Sequence, residues 1–181
     1  MTRRVLLNLP PDVREAIWQH LLPRRTRPLE EVAFIFARTE KTNDTTTFDF
    51  AEWYPVGRKG FLSRSGYHFE LTDEARGGAI KRAHDLGASL VEAHSHIVPG
   101  VACFSQSDIL GFREFVPHVW WRLRSRPYLA LVVSRSGFDG LAWFDSPNIP
   151  QYLDGITSDG KFLYSSKATP LGKYSYYDQQ I

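Results

Sequence analysis

The segment Leu86 to His96 limits the fold of this chain more than any other, because it reads as an apolar strand that ends in His94-Ser95-His96. Alternate side chains of a strand share a face, so His94 and His96 project together and Ser95 points away. Each imidazole needs a polar partner once it is desolvated. A single buried histidine is ordinarily a satisfied core residue. Two at this spacing make half of a metal site. An acidic residue, Asp108, follows twelve positions after His96, at the end of Ser105-Gln106-Ser107-Asp108. Ser105 reads as a helix N-cap and Asp108 as the third helical residue, a capping box with Asp in place of Glu. A carboxylate in a first turn can still face a site. Three protein ligands, His94, His96 and Asp108, with a fourth position left for water are the pattern of a catalytic zinc; structural zinc sites usually close with four.

The rest of the chain sets the scale. Its 181 residues, 43% of them hydrophobic, suit one domain with a substantial core. A formal net charge of +2 is too small to argue for nucleic acid. The sole cysteine, Cys103, excludes a disulfide framework and reads as a small hydrophobe buried in a loop. The apolar run in Met1 to Pro10 is too short for a secretory signal, and no stretch approaches the length of a bilayer span. The expectation is a soluble cytoplasmic protein in a reducing compartment.

In order, Val5 to Leu9 reads as a short strand, and Pro10-Pro11-Asp12 opens a helix that ends near Pro23. Arg24 to Pro28 is a basic, solvated turn. Glu31 to Arg38 and Thr45 to Val56 pair as a hairpin, Pro55 to Ser65 is loop, and Gly66 to Leu71 is a further strand. Thr72 caps a helix to Leu86, with Gly87 placed for a left-handed C-cap and Gly77-Gly78 permitting close packing on the sheet. After the histidine strand, a helix runs from Ser105 to about Phe115, where Pro117 interrupts or ends it. The run Trp120-Trp121-Arg122-Leu123-Arg124 buries tryptophan and leaves its arginines in solvent, with a partner surface as the alternative. Tyr128 to Ser134 and Phe138 to Phe144 are a second hairpin. Residues 1–146 read as the domain. Residues 147–181 read as a Pro-, Gly- and Tyr-rich extension, packed on the domain or binding a partner, with one short strand at Lys161 to Tyr164. This order gives an α/β fold around a mixed sheet.

The run His94-Ser95-His96 … Ser105-Gln106-Ser107-Asp108 resembles the signature of the JAMM family of zinc metalloproteases, also called MPN or JAB. That pattern is an upstream Glu, then His-Ser/Thr-His, about seven residues, Ser, two residues and Asp. The resemblance covers roughly Pro10 to Phe144, with Glu31 in the place of the upstream Glu. Two departures stand out. The spacer from Ile97 to Phe104 is eight residues, and Pro99 is displaced from its usual place after the second His. Phe34 and Arg38 stand where the family often has glycines.

The resemblance implies a JAMM-like (cytidine-deaminase-like) α/β/α sandwich around a mixed β-sheet. It implies Zn2+ held by His94, His96 and Asp108, Glu31 as general base, and Ser105 stabilising the oxyanion. Glu92 competes with Glu31 as base, because it lies two residues before His94 and shares its face; it also reads as a partner orienting a ligand imidazole. The implied activity is hydrolysis of an amide or isopeptide bond after the C-terminus of a ubiquitin-like protein, as in bacterial members found with conjugation enzymes. The alternatives are a hydrolase of a small adduct on a sulfur-carrier protein and a non-catalytic scaffold of the same fold.

Overall fold

A computed structural model of the chain describes residues 3–172. The elements in order are β1 (Arg4–Asn8), α1 (Pro11–Leu21), β2 (Val32–Lys41), β3 (Thr45–Pro55), a 3-10 turn (Arg58–Gly60), β4 (Phe61–Arg64), β5 (Phe69–Leu71), α2 (Asp73–Asp85) and β6 (Ser89–Ser95). There follow α3 (Gln106–Arg122), β7 (Tyr128–Ser134), β8 (Gly137–Trp143), β9 (Gln151–Tyr152), β10 (Gly155–Ser158) and β11 (Lys161–Tyr164). Among the described residues, nine strands form one mixed sheet in the order β11-β10-β1-β3-β2-β6-β7-β8-β9, and β4 pairs with β5 as a separate hairpin. Three pairings are parallel: β1 with β3, β1 with β10, and β6 with β7. No helix is long and apolar enough to cross a membrane.

The central strands β2, β6 and β7 are buried on both faces and read as nearly continuous apolar runs, as expected for strands covered on two sides. Val32, Phe34 and Phe36 of β2 pack with Leu90 of β6 and with Ile109, Phe112, Val116 and Val119 of α3. On the other face Ala33, Ile35 and Ala37 pack with Val91 and Ala93, beneath Ile17 and Leu21 of α1. The sheet thus carries α2 and α3 on one face and α1 on the other. Register places Phe34 opposite Glu92 and Val32 opposite His94. These polar residues break an otherwise apolar row on the α3 face.

Several sequence expectations change. The loop expected over Pro55 to Ser65 holds β4, which pairs with β5. In the extension from residue 147 onward the strand expected over Lys161 to Tyr164 is present as β11, and two more join it: β9 pairs with β8, and β10 lies between β11 and β1, parallel to β1. The sheet therefore continues past residue 146; residues 173–181 lie outside the described residues. Gly77 and Gly78 do not approach the sheet, since a Cβ at either would meet nothing within 4 Å. Of the tryptophan pair, Trp120 packs on the core and Trp121 is exposed.

Pro117 neither ends nor interrupts α3, which continues to Arg122. Burial of Val116, Val119 and Leu123 against the sheet outweighs the lost backbone bond. A proline within a helix costs about 3 kcal/mol. Pro117→Ala is therefore expected to stabilise the chain, by about 1–2 kcal/mol after loss of the ring's own packing. The urea midpoint should rise with no change in slope. A midpoint that stays or falls would mean that this ring is a packing element.

Candidate metal centre

The C-terminal end of β6 and the first turn of α3 meet at a cleft lined by α2 and α3. His94 is buried among the Phe69 and Phe104 rings, with centroids at 5.3 and 5.7 Å. His96 lies just beyond the strand end, its backbone N–H still donating to the Val133 carbonyl at 2.9 Å. The two Nε2 atoms stand 3.3 Å apart. Asp108 Oδ1 is 3.6 Å from His94 Nε2, and Oδ2 is 3.2 Å from His96 Nε2. Among the described residues, these three side chains form the group whose ligand atoms lie close enough together to hold a metal ion.

The donor set fits a small tetrahedral cation. Ligand bonds of about 2.0–2.1 Å at tetrahedral angles place neighbouring donor atoms about 3.3 Å apart. The two imidazole nitrogens sit at that spacing, and the carboxylate comes within 3.2 Å of one by Oδ2 and 3.6 Å of the other by Oδ1. His94 Nδ1 is buried without a hydrogen-bond partner, so packing by the flanking rings orients this imidazole.

Asp108 is fixed by the start of its own helix. Ser105 is the N-cap, and the capping box is complete. The Ser105 backbone N–H and hydroxyl both donate to Asp108 Oδ2 at 2.7 Å, while the Asp108 N–H donates to Ser105 Oγ at 3.2 Å. Capping and metal ligation are thus compatible in one residue, and the Ser105 hydroxyl here orients the carboxylate. Burial opposes the Asp108 charge, but the His94 charge and hydrogen bonds from His94, His96 and Ser105 hold its carboxyl well below the ordinary range. Burial likewise works against charged His94, and Asp108, Glu92 and Glu30 outweigh it and raise the imidazole above its ordinary value.

The two neighbouring glutamates before β2 part company. Glu30 lines the cleft of about 960 Å³ that contains His94, His96 and Asp108. Burial raises its carboxyl above the ordinary value, and the charges that act on it are those of His94, His96, Asp108 and His68. Glu31 does not line the cleft. Its backbone N–H donates to Ser95 Oγ at 2.9 Å and its carbonyl accepts from the Ser95 N–H at 3.0 Å, which puts it level with the residue that points away from the ligands. Its buried carboxylate is held by Arg25, at 2.9 Å, and by Arg64. Glu31, the base implied by the resemblance, therefore points away from the ligands, and its neighbour Glu30 takes the side that faces them. Register decides it: Val32 pairs with His94, so two-residue alternation puts Glu30 beside the histidines.

Glu92 shares that face, as expected, but sits deeper. It is buried, accepts a hydrogen bond from the Tyr128 hydroxyl at 3.4 Å, and is raised by burial. Cys103 is half-buried and is not among the candidate ligands. The cleft continues between α2 and α3 past Arg76, Gly77, Gly111 and Glu114 to His118. No protein-family model and no curated protein matches this chain.

Proposed function

We propose that the chain is a zinc-dependent peptidase of the JAMM type, with the α/β/α arrangement of that family, which hydrolyses the amide or isopeptide bond after the tail of a ubiquitin-like protein. The observation that carries this reading is the convergence of His94, His96 and Asp108 at tetrahedral spacing, with a buried glutamate facing them across the same cleft. A zinc ion bound by such a set supplies a water whose pKa falls from 15.7 to about 7 and a Lewis acid for a carbonyl oxygen.

The chain's own residues supply the rest. Glu30 takes the proton of the attacking water and passes it to the leaving amine. Burial raises its pKa above the ordinary carboxylate value, the direction that makes it a stronger base for that proton. Glu92 is less well placed for this, because it is buried deeper and the Tyr128 hydroxyl engages its carboxylate. Glu30 also restores the family pattern. Counted from Glu31, Phe34 and Arg38 occupy the two positions where the family often has glycine; counted from Glu30, those positions are Ala33 and Ala37, both small. Ser105 lines the cleft and holds Asp108 with its one hydroxyl proton, so it would serve a developing oxyanion only by turning that proton from Asp108 Oδ2 to the substrate.

The test is cleavage of a ubiquitin-like domain extended by a short peptide at its C-terminus. Zinc-loaded protein should cut after the ubiquitin-like tail, lose that activity to a chelator, and recover it on addition of zinc. Fusions of several ubiquitin-like domains that all stay intact with fully loaded protein would sink the proposed substrate class.

A further inference from the structure

The loop from Ile97 to Phe104 separates two ligands from the third and is one residue longer than the motif it resembles. Such a loop has to be held if Asp108 is to meet the histidines. After β11 the chain turns back along β8, where the Ser166 N–H donates to the Phe138 carbonyl at 2.9 Å. It then runs beside the spacer loop. Thr169, buried like the core, donates its hydroxyl to Asp139 Oδ2 at 2.6 Å, and its own N–H donates to the same oxygen at 2.9 Å. The Thr169 hydroxyl oxygen accepts the Phe104 N–H at 2.9 Å. The Ser166 hydroxyl donates to the Ala102 carbonyl at 2.6 Å.

We infer that this segment is a clasp that positions the metal ligands, with Thr169 as the positioning residue and Asp139 as its anchor. The inference rests on the metal reading above. Phe104 stands at the junction: its ring packs on His94, and its backbone leads directly into Ser105, the cap that orients Asp108. One hydroxyl therefore ties a carboxylate buried in β8 to both sides of the ligand set. A hydroxyl is required because the atom must donate to Asp139 and accept from Phe104 at once. Groups that orient metal ligands typically change affinity about 10–100-fold when removed.

The experiment measures zinc affinity by chelator competition, and the visible absorption of the cobalt-substituted protein, well below the unfolding temperature of every variant. Thr169→Val should weaken zinc about 10–100-fold and alter the cobalt bands, while Thr169→Ser should stay within about threefold of wild type. Ser165→Ala is the control: its hydroxyl also donates to Asp139, at 2.9 Å, yet it has no hydrogen bond to the loop, so affinity should hold. Equal weakening in Ser165→Ala, or wild-type affinity in Thr169→Val, would overturn the clasp. If Thr169→Val does not fold, Ser166→Ala decides: it removes the tie to Ala102 from an exposed residue, and unchanged affinity there would overturn the inference. Wild-type protein that binds no zinc would overturn the metal reading and the clasp together.

Discussion

His96→Ala should leave the chain folded and unable to retain zinc. Of the three candidate ligands, His96 is the one whose loss best separates metal from fold. His94 is enclosed by Phe69 and Phe104, and Asp108 completes a helix cap, so replacing either also removes packing or capping. The His96 side chain is 21% exposed at the strand end and belongs to neither apolar core. Wild-type protein purified without added metal should carry about one zinc per chain by mass spectrometry, and the variant essentially none. Zinc at a hundred times its Kd stabilises a one-site protein by about 2.7 kcal/mol. For a domain of this size that raises Tm by about 5–10 °C. The rise should vanish in His96→Ala, while the metal-free forms of both proteins melt close together. One zinc retained per variant chain would mean that the ion sits elsewhere, and the proposed centre would fall.

The ligand triad is legible in the sequence because each part depends on local geometry alone. Strand alternation puts His94 and His96 on one face, and capping chemistry puts Asp108 in a first turn; neither needs knowledge of distant contacts. The base that the proposed function requires is not legible in that way. Choosing between Glu30 and Glu31 requires the phase of β2 relative to β6, and both residues precede an unbroken apolar run that alternates no visible pattern. Under the proposed function the small residues Ala33 and Ala37, three and seven positions after Glu30, are the sequence trace of that phase. Pro117 misleads for a related reason. Propensity is local, whereas the three apolar residues around it that hold α3 on the sheet draw on contacts far away in sequence. The strands after residue 146 are short, and β10 finds its partner about 150 residues earlier, in β1. Nothing in Gly155-Ile156-Thr157-Ser158 announces that pairing. Thr169 is the most hidden of all, since its importance lies wholly in what Asp139 and Phe104 bring to it.

Glu30→Gln and Glu31→Gln should therefore part in opposite directions. Glutamine keeps the size of glutamate but cannot take up a proton. In Glu30→Gln the metal ligands are untouched, so zinc content should match wild type while turnover of a cleavable ubiquitin-like fusion falls about 10²–10⁴-fold, the usual contribution of a positioned acid–base group. Relief of a buried carboxyl whose ionisation burial opposes should leave stability unchanged or slightly higher. Glu31→Gln is the converse. It removes the buried charge that Arg25 and Arg64 share. Arg25 is largely in solvent and loses little, but Arg64 is mostly enclosed and would be left without its carboxylate, so a cost of about 2–3 kcal/mol is expected. Turnover per folded, zinc-loaded chain should stay within about tenfold of wild type, because Glu31 reaches the cleft only through the backbone it shares with Glu30. Urea melts and single-turnover rates on the two variants give the answer. If Glu31→Gln proves catalytically dead yet stable, and Glu30→Gln active, then β2 slides by one residue when metal and substrate bind, and the face observed for Glu30 is not the working one. If both remain active, the proton passes through Glu92, and Glu92→Gln becomes the variant that must lose the reaction.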